Sequence, residues 1–164
     1  MSGDRPLFAF AFRGGQWQTP SNLAEADAAV RSADFVWVHL NLSDEGAQAW
    51  LRCRPWPPDV IEVVSAPIQR GRLFVTPDLI YGQLRDFRDE PDAAALQAGS
   101  LCVVASPILL VTGRRIPLLS VEELRRRVET RMVTPASPFG LVTEFFRSLN
   151  DIGENLLQGA SERL

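Results

Sequence analysis

Phe35-Val36-Trp37-Val38-His39-Leu40 is an unbroken run rich in β-branched and aromatic residues, and such a run reads as a buried strand. The segment ahead of it reads the same way. From Leu7 to Arg13, Phe8, Phe10 and Phe12 share one face while Leu7, Ala9 and Ala11 share the other, as in a strand covered on both sides. Gly14-Gly15 then supplies a turn. Between the two strands, Asn22 with Glu25 three residues on forms a helix start, and Leu23, Ala26, Ala29 and Val30 follow at helical spacing as far as Ser32.

Downstream of the run, Ser43 is expected to open a second helix whose apolar side is Ala47, Trp50 and Leu51. Pro55, Pro57 and Pro58 end it, because proline lacks an amide proton and clashes with the preceding turn. A short helix from Pro58 to Val64 comes next. Thr76-Pro77-Asp78 joins two apolar segments, Arg72 to Thr76 and Leu79 to Phe87, into a hairpin, and Ser106-Pro107 does the same for Leu101 to Ala105 and Ile108 to Thr112. A polar, alanine-rich loop from Arg88 to Gly99 separates the hairpins. Ser120-Val121-Glu122-Glu123 has the form of a capping box, with Leu119 and Leu124 placed as a hydrophobic staple. In that helix Val121, Leu124 and Val128 face inward, while Arg125, Arg126 and Arg127 complement the C-terminal dipole. After Pro135 and Pro138, the residues Val142, Phe145, Leu149, Ile152 and Leu156 repeat at the period of a helix packing lengthwise on other helices. The seam has no evident partner in the 164 residues and runs to Leu164, which implies a longer parent protein.

Composition removes several classes of function. All 17 basic residues are arginine, so Schiff-base chemistry and a P-loop ammonium are excluded. A net charge of -3 gives no positive excess for a phosphate backbone, so nucleic acid is not an expected partner. The most apolar stretch, Leu101 to Thr112, falls short of the roughly 20 apolar residues that span a bilayer. Cys53 and Cys102 sit in no CxxC or CxxH pair, which suits a reducing cytosol. With a single histidine, no GxSxG elbow and no glycine cradle for phosphate, an enzyme is not expected.

Several segments, taken in order, resemble the cytosolic part of the CorA superfamily of divalent metal ion transporters, with the ZntB-type branch the closer. They are Phe35 to Leu40 through Ala49-Trp50-Leu51-Arg52; Pro58 to Glu62 followed by Gln69-Arg70-Gly71-Arg72; Val103 to Thr112 with Ile116 to Val128; and Phe139 to Leu157. Gly71 stands where the family often has proline, and the Gly-Met-Asn signature of the membrane helices is absent. The resemblance implies a mixed β-sheet flanked by helices, hence an α/β (α+β) fold. Residues 1–134 would form the cytosolic α/β domain, and 135–164 the start of a helical arm leading toward a stalk and membrane helices. It also implies a homopentameric parent at the cytoplasmic face of the bacterial inner membrane, with Zn2+ or Mg2+ as the transported ion. In magnesium-transporting members, the short helix carries a Glu-Asp pair whose aspartate helps bind a regulatory ion between neighbouring subunits; the residues here that resemble it are Glu62 and Val63.

The residue types that could touch a metal are few. His39 reads first as a core histidine and second as a zinc ligand, since a tight zinc site needs three or four converging ligands. Glu62, Asp86 and Asp89 are the other candidates, Asp86 and Asp89 belonging to an acidic patch with Glu90 and Asp92. No tightly bound cofactor is expected. Arg70, Arg72, Arg85 and Arg88 could gather across the first hairpin and bind an anion, or pair with nearby carboxylates. The expected function is that of a regulatory and assembly domain, unable to transport by itself. The rival is a free-standing cytosolic ligand-binding module or enzyme.

Overall fold

The structure, a computed structural model, describes residues 4–67, 70–88 and 98–162. Its centre is β3 (Phe35–Asn41), in which every residue from Phe35 to Leu40 is buried. Alternation along β3 sends Phe35 and Trp37 into one apolar layer and Val36, Val38 and Leu40 into another. A strand buried on both faces must have helices on both, and the other elements meet that demand.

On one side β3 pairs antiparallel with β1 (Phe8–Arg13), which carries the short edge strand β2 (Gln16–Gln18). On the other it runs parallel to β7 (Leu109–Arg114). From β7 the sheet continues antiparallel through β6 (Ala98–Ala105), β5 (Ile80–Phe87) and β4 (Arg72–Val75). The order is β2-β1-β3-β7-β6-β5-β4, a mixed seven-stranded sheet of the expected class. Helices α1 (Leu23–Val30), α2 (Glu45–Arg52) and α3 (Pro58–Ser65) cover one face with Leu23, Ala26, Ala47, Leu51, Val60 and Val64. Helices α4 (Leu119–Glu129) and α5 (Pro138–Ser161) cover the other with Val121, Leu124, Val128, Leu141, Val142 and Phe145.

β6 starts at Ala98, inside the stretch read as a loop to Gly99, and local chemistry departs from the sequence reading in four further places. Strand β2 was not anticipated: Gly14 and Gly15, with φ of 57° and 76°, make a turn tight enough to fold the chain straight back on β1. The N-cap of α2 is Asp44 rather than Ser43, its carboxylate accepting the Gly46 amide at 2.9 Å. Ser120 does not cap α4 but lies inside its first turn, where its hydroxyl donates to the Asp86 carboxylate; Glu123 pairs with Arg126 instead of reaching back. Lastly, Val142 and Phe145 belong to the core, so the seam of α5 finds its partner in the sheet over its first turns.

Gly82 sits on β5 opposite Leu73 with φ of 150°, and a Cβ there would lie 2.0 Å from the Arg72 carbonyl oxygen. No side-chain rotation relieves a clash with backbone. Gly82→Ala is therefore expected to destabilise the domain by more than about 1 kcal/mol by splaying β4 from β5. A urea midpoint unchanged from the parent sequence would refute this.

Candidate functional site

Three groups of polar residues lie in or beside the core. The first is built on β3 and β7, where the register sets His39 opposite Thr112. The Thr112 hydroxyl accepts the Trp37 indole N–H at 2.9 Å and lies 2.8 Å from His39 Nδ1. With one hydrogen bond accepted, the hydroxyl has its own hydrogen for Nδ1. The imidazole stacks on Phe8 at 4.8 Å, and the Arg125 guanidinium lies over that phenyl ring at 5.0 Å. Burial, joined by the charges of Arg114 and Arg125, lowers the His39 pKa from 6.5 to about 3, so the ring is neutral. Its Nε2 has no partner among the described residues.

The second group holds α4 to the sheet. Asp86, 1% exposed, accepts the Ser120 hydroxyl, the Ser120 amide at 3.3 Å and the Phe87 amide at 2.7 Å. A carboxylate on β5 thus performs, across 34 residues, the capping that a helix start ordinarily finds in its own sequence. Burial raises the Asp86 pKa, and the hydrogen bonds from Ser120 and Phe87 oppose that rise.

Gln83 forms the third. Its amide nitrogen donates to the Val63 and Ala66 carbonyls at 2.8 and 2.6 Å, and its oxygen accepts the Ser100 hydroxyl. It pins the end of α3 to β5. No motif announces such a role, because the partners lie 17 or more residues away.

The residues singled out as metal candidates fall apart in space. His39 is under α4, Asp86 is committed to the start of that helix, and Glu62 is exposed on α3 across the sheet. Asp89, Glu90 and Asp92 lie outside the described residues. Cys102 is buried in the layer beneath α1 to α3, with burial pushing its thiol up to about 12, while Cys53 is exposed at the end of α2. Among the described residues, no three of His, Cys, Asp and Glu converge as a cation cage. The four arginines also divide: Arg70 and Arg72 line one cavity, Arg85 is exposed on β5, and Arg88 bridges to Leu118 just ahead of α4.

The remaining functional feature is α5. Phe145 meets Trp37 edge-on at 5.7 Å and anchors the helix on β3. Beyond Leu149 the covering ends: Ile152 and Leu156 are half-buried and Leu157 is 71% exposed. Among the described residues no helix is long and apolar enough to cross a membrane.

The fold of this domain is shared with solved structures. The full-length CmaX protein superposes with a TM-score of 0.83 at 21% identity, over 99% of this chain and 51% of that one. The ZntB cytoplasmic domain from Vibrio parahaemolyticus gives 0.76 at 16% identity, over 97% and 63%. The complete CorA magnesium transporter from Methanocaldococcus jannaschii gives 0.69 at 11%, over 94% and 47%. The chain spans about half to two-thirds of the length of these structures. No curated protein matches it. The fold is therefore that of the CorA and ZntB cytoplasmic domains. The family model for the CorA-like Mg2+ transporter protein matches residues 32–164, and the chain belongs to that family, one of transporters rather than enzymes.

His39 offers a clean pH test. Its folded pKa lies below the unfolded value, so between pH 6.5 and about 3 the unfolded state holds the extra proton and stability falls as pH falls. His39→Gln removes that linkage. The parent sequence should lose up to about 1.4 kcal/mol per pH unit more than the variant across this window. Parallel stability–pH curves below pH 6.5 would show that His39 is not held neutral.

Proposed function

We propose that this chain is the cytosolic regulatory and assembly domain of a divalent metal ion transporter, in which residues 135–164 begin the arm toward stalk and membrane helices. The observation that carries the reading is α5: a helix of 24 residues that is core at Val142 and Phe145 yet uncovered at Leu157. Uncovered apolar surface is a standing cost of roughly 25 cal/mol per Å2, which further helices or other subunits would remove. Membership of a transporter family and the greater length of the matched full-length structures support the same reading. The partners are then other subunits of the same protein in a homopentamer, the transported ion is Mg2+ or Zn2+, and the domain lies at the cytoplasmic face of the inner membrane.

Regulation follows from α3. Glu62 is exposed there, but its neighbour Val63 offers Mg2+ no oxygen. Successive helical residues point about 100° apart, so Glu62 does not replace the missing carboxylate. The parent protein should not be gated by Mg2+ at this site. Ion flux through the full-length protein with cytosolic Mg2+ varied tests both readings: absence of any divalent flux removes the transporter function, and closure at millimolar Mg2+ that disappears in Glu62→Gln removes the ungated assignment.

Assembly gives a second expectation. Residues 1–164 alone should be monomeric, or dimeric through Leu149, Ile152 and Leu156; Val142, 4% exposed, is not available to such a contact. Light scattering at micromolar concentration decides it, and a stable pentamer would place the assembly energy in this domain rather than in the stalk.

A further inference from the structure

Edge strand β4 and helix α3 border an open cavity of about 610 Å3. Its walls are unlike in chemistry. Val63, Pro67 and Phe74 give an apolar side, and Arg70 and Arg72 give a cationic one. Strand alternation explains the arginines: Arg72 pairs opposite Gln83 and Phe74 opposite Tyr81, so both point to the α3 side, while Leu73 turns to the other core.

Two features suit this cavity to an anion. Neither arginine has an ion-pair partner among the described residues, and no carboxylate is among the described residues that line it. The negative end of the α3 dipole would otherwise oppose an anion, but the Gln83 amide occupies the Val63 and Ala66 carbonyls. The cationic wall is also held in place. The Arg72 guanidinium lies 5.1 Å over the Phe74 ring, which stacks on Tyr81 at 5.3 Å; the Tyr81 hydroxyl in turn donates to Asp59 at 2.7 Å. Arg70 is two residues from Arg72, across Gly71, whose Cβ would lie only 3.3 Å from the Arg85 amide nitrogen.

We propose that this cavity binds a phosphate ester, its phosphoryl oxygens held by Arg70 and Arg72 and its organic part laid against Val63, Pro67 and Phe74. Two guanidinium groups without counter-charge match a dianion better than a single carboxylate, and each presents forked donors to phosphoryl oxygens. The apolar side matches an ester rather than inorganic phosphate. The site is independent of ion transport, so the transporter reading can fail without it.

The test is calorimetric titration of the full chain with phenyl phosphate, inorganic phosphate and benzoate. A parallel arm measures co-sedimentation with phosphatidylcholine vesicles with and without phosphatidic acid, whose headgroup is a phosphomonoester. Phenyl phosphate should bind more tightly than either small competitor and weaken at least about tenfold in Arg70→Gln and in Arg72→Gln. Both substitutions are at exposed positions and should leave the melting temperature unchanged. Phe74→Leu should narrow the gap between phenyl phosphate and inorganic phosphate. Vesicle binding that needs phosphatidic acid and both arginines, without phenyl phosphate binding, would support the site and assign the phosphate to a lipid headgroup. The proposal is overturned by absence of binding in both arms, by binding that survives in the Arg70→Gln/Arg72→Gln double variant, or by benzoate binding as tightly as phenyl phosphate.

Discussion

The parallel pairing of β3 with β7 is the constraint on which the molecule rests. These strands are about 73 residues apart in sequence, and both are buried on each face. Parallel neighbours cannot be joined by a tight turn, so the intervening chain has to travel around them. It does so by building α2 and α3 on one face and then laying down β4, β5 and β6 as antiparallel neighbours. Only after β7 does the chain reach the other face, where α4 and α5 close over Trp37 and Leu110. Remove the β3–β7 register, and the two apolar layers no longer share a sheet.

Polar groups inside this frame mostly join elements that propensity alone would leave loose. Thr112 holds Trp37 and His39 in one plane of contacts, Asp86 receives the start of α4, and Gln83 ties off the end of α3. Each is buried, and each sits where an unsatisfied backbone or side-chain group would cost about 1–3 kcal/mol. The same positions carry the shifted pKa values of His39 and Asp86, for which burial is the largest cause. Perturbed titration here follows from tying layers together, whereas the open cavity beside β4 combines unopposed charge with accessible apolar surface.

Helix α5 links fold to family. Its first half is as much a part of the core as any strand, through Phe145 on Trp37, and its second half presents Leu157 to solvent. Membership of the CorA-like family gives that geometry a setting, since the matched full-length structures share this fold and are about twice as long.

By itself the sequence determined which segments are buried and what form they take. Phe35 to Leu40 reads as a strand, Phe8, Phe10 and Phe12 alternate, and proline closes α2, because these are local rules of period and backbone sterics. The order of apolar and turn segments also carried the family resemblance. Tertiary structure alone decided the polar connections and the candidate site. Ser120 reads as a cap until a carboxylate 34 residues earlier arrives at its hydroxyl, and the four arginines could gather as one cluster or pair with carboxylates until Arg88, just past β5, is set beside Leu118. Val142 reads as an exposed seam until the sheet covers it. In each case the deciding partner is distant in the chain, and hydrogen-bonding and packing energies depend on distance in space, which local periodicity does not encode.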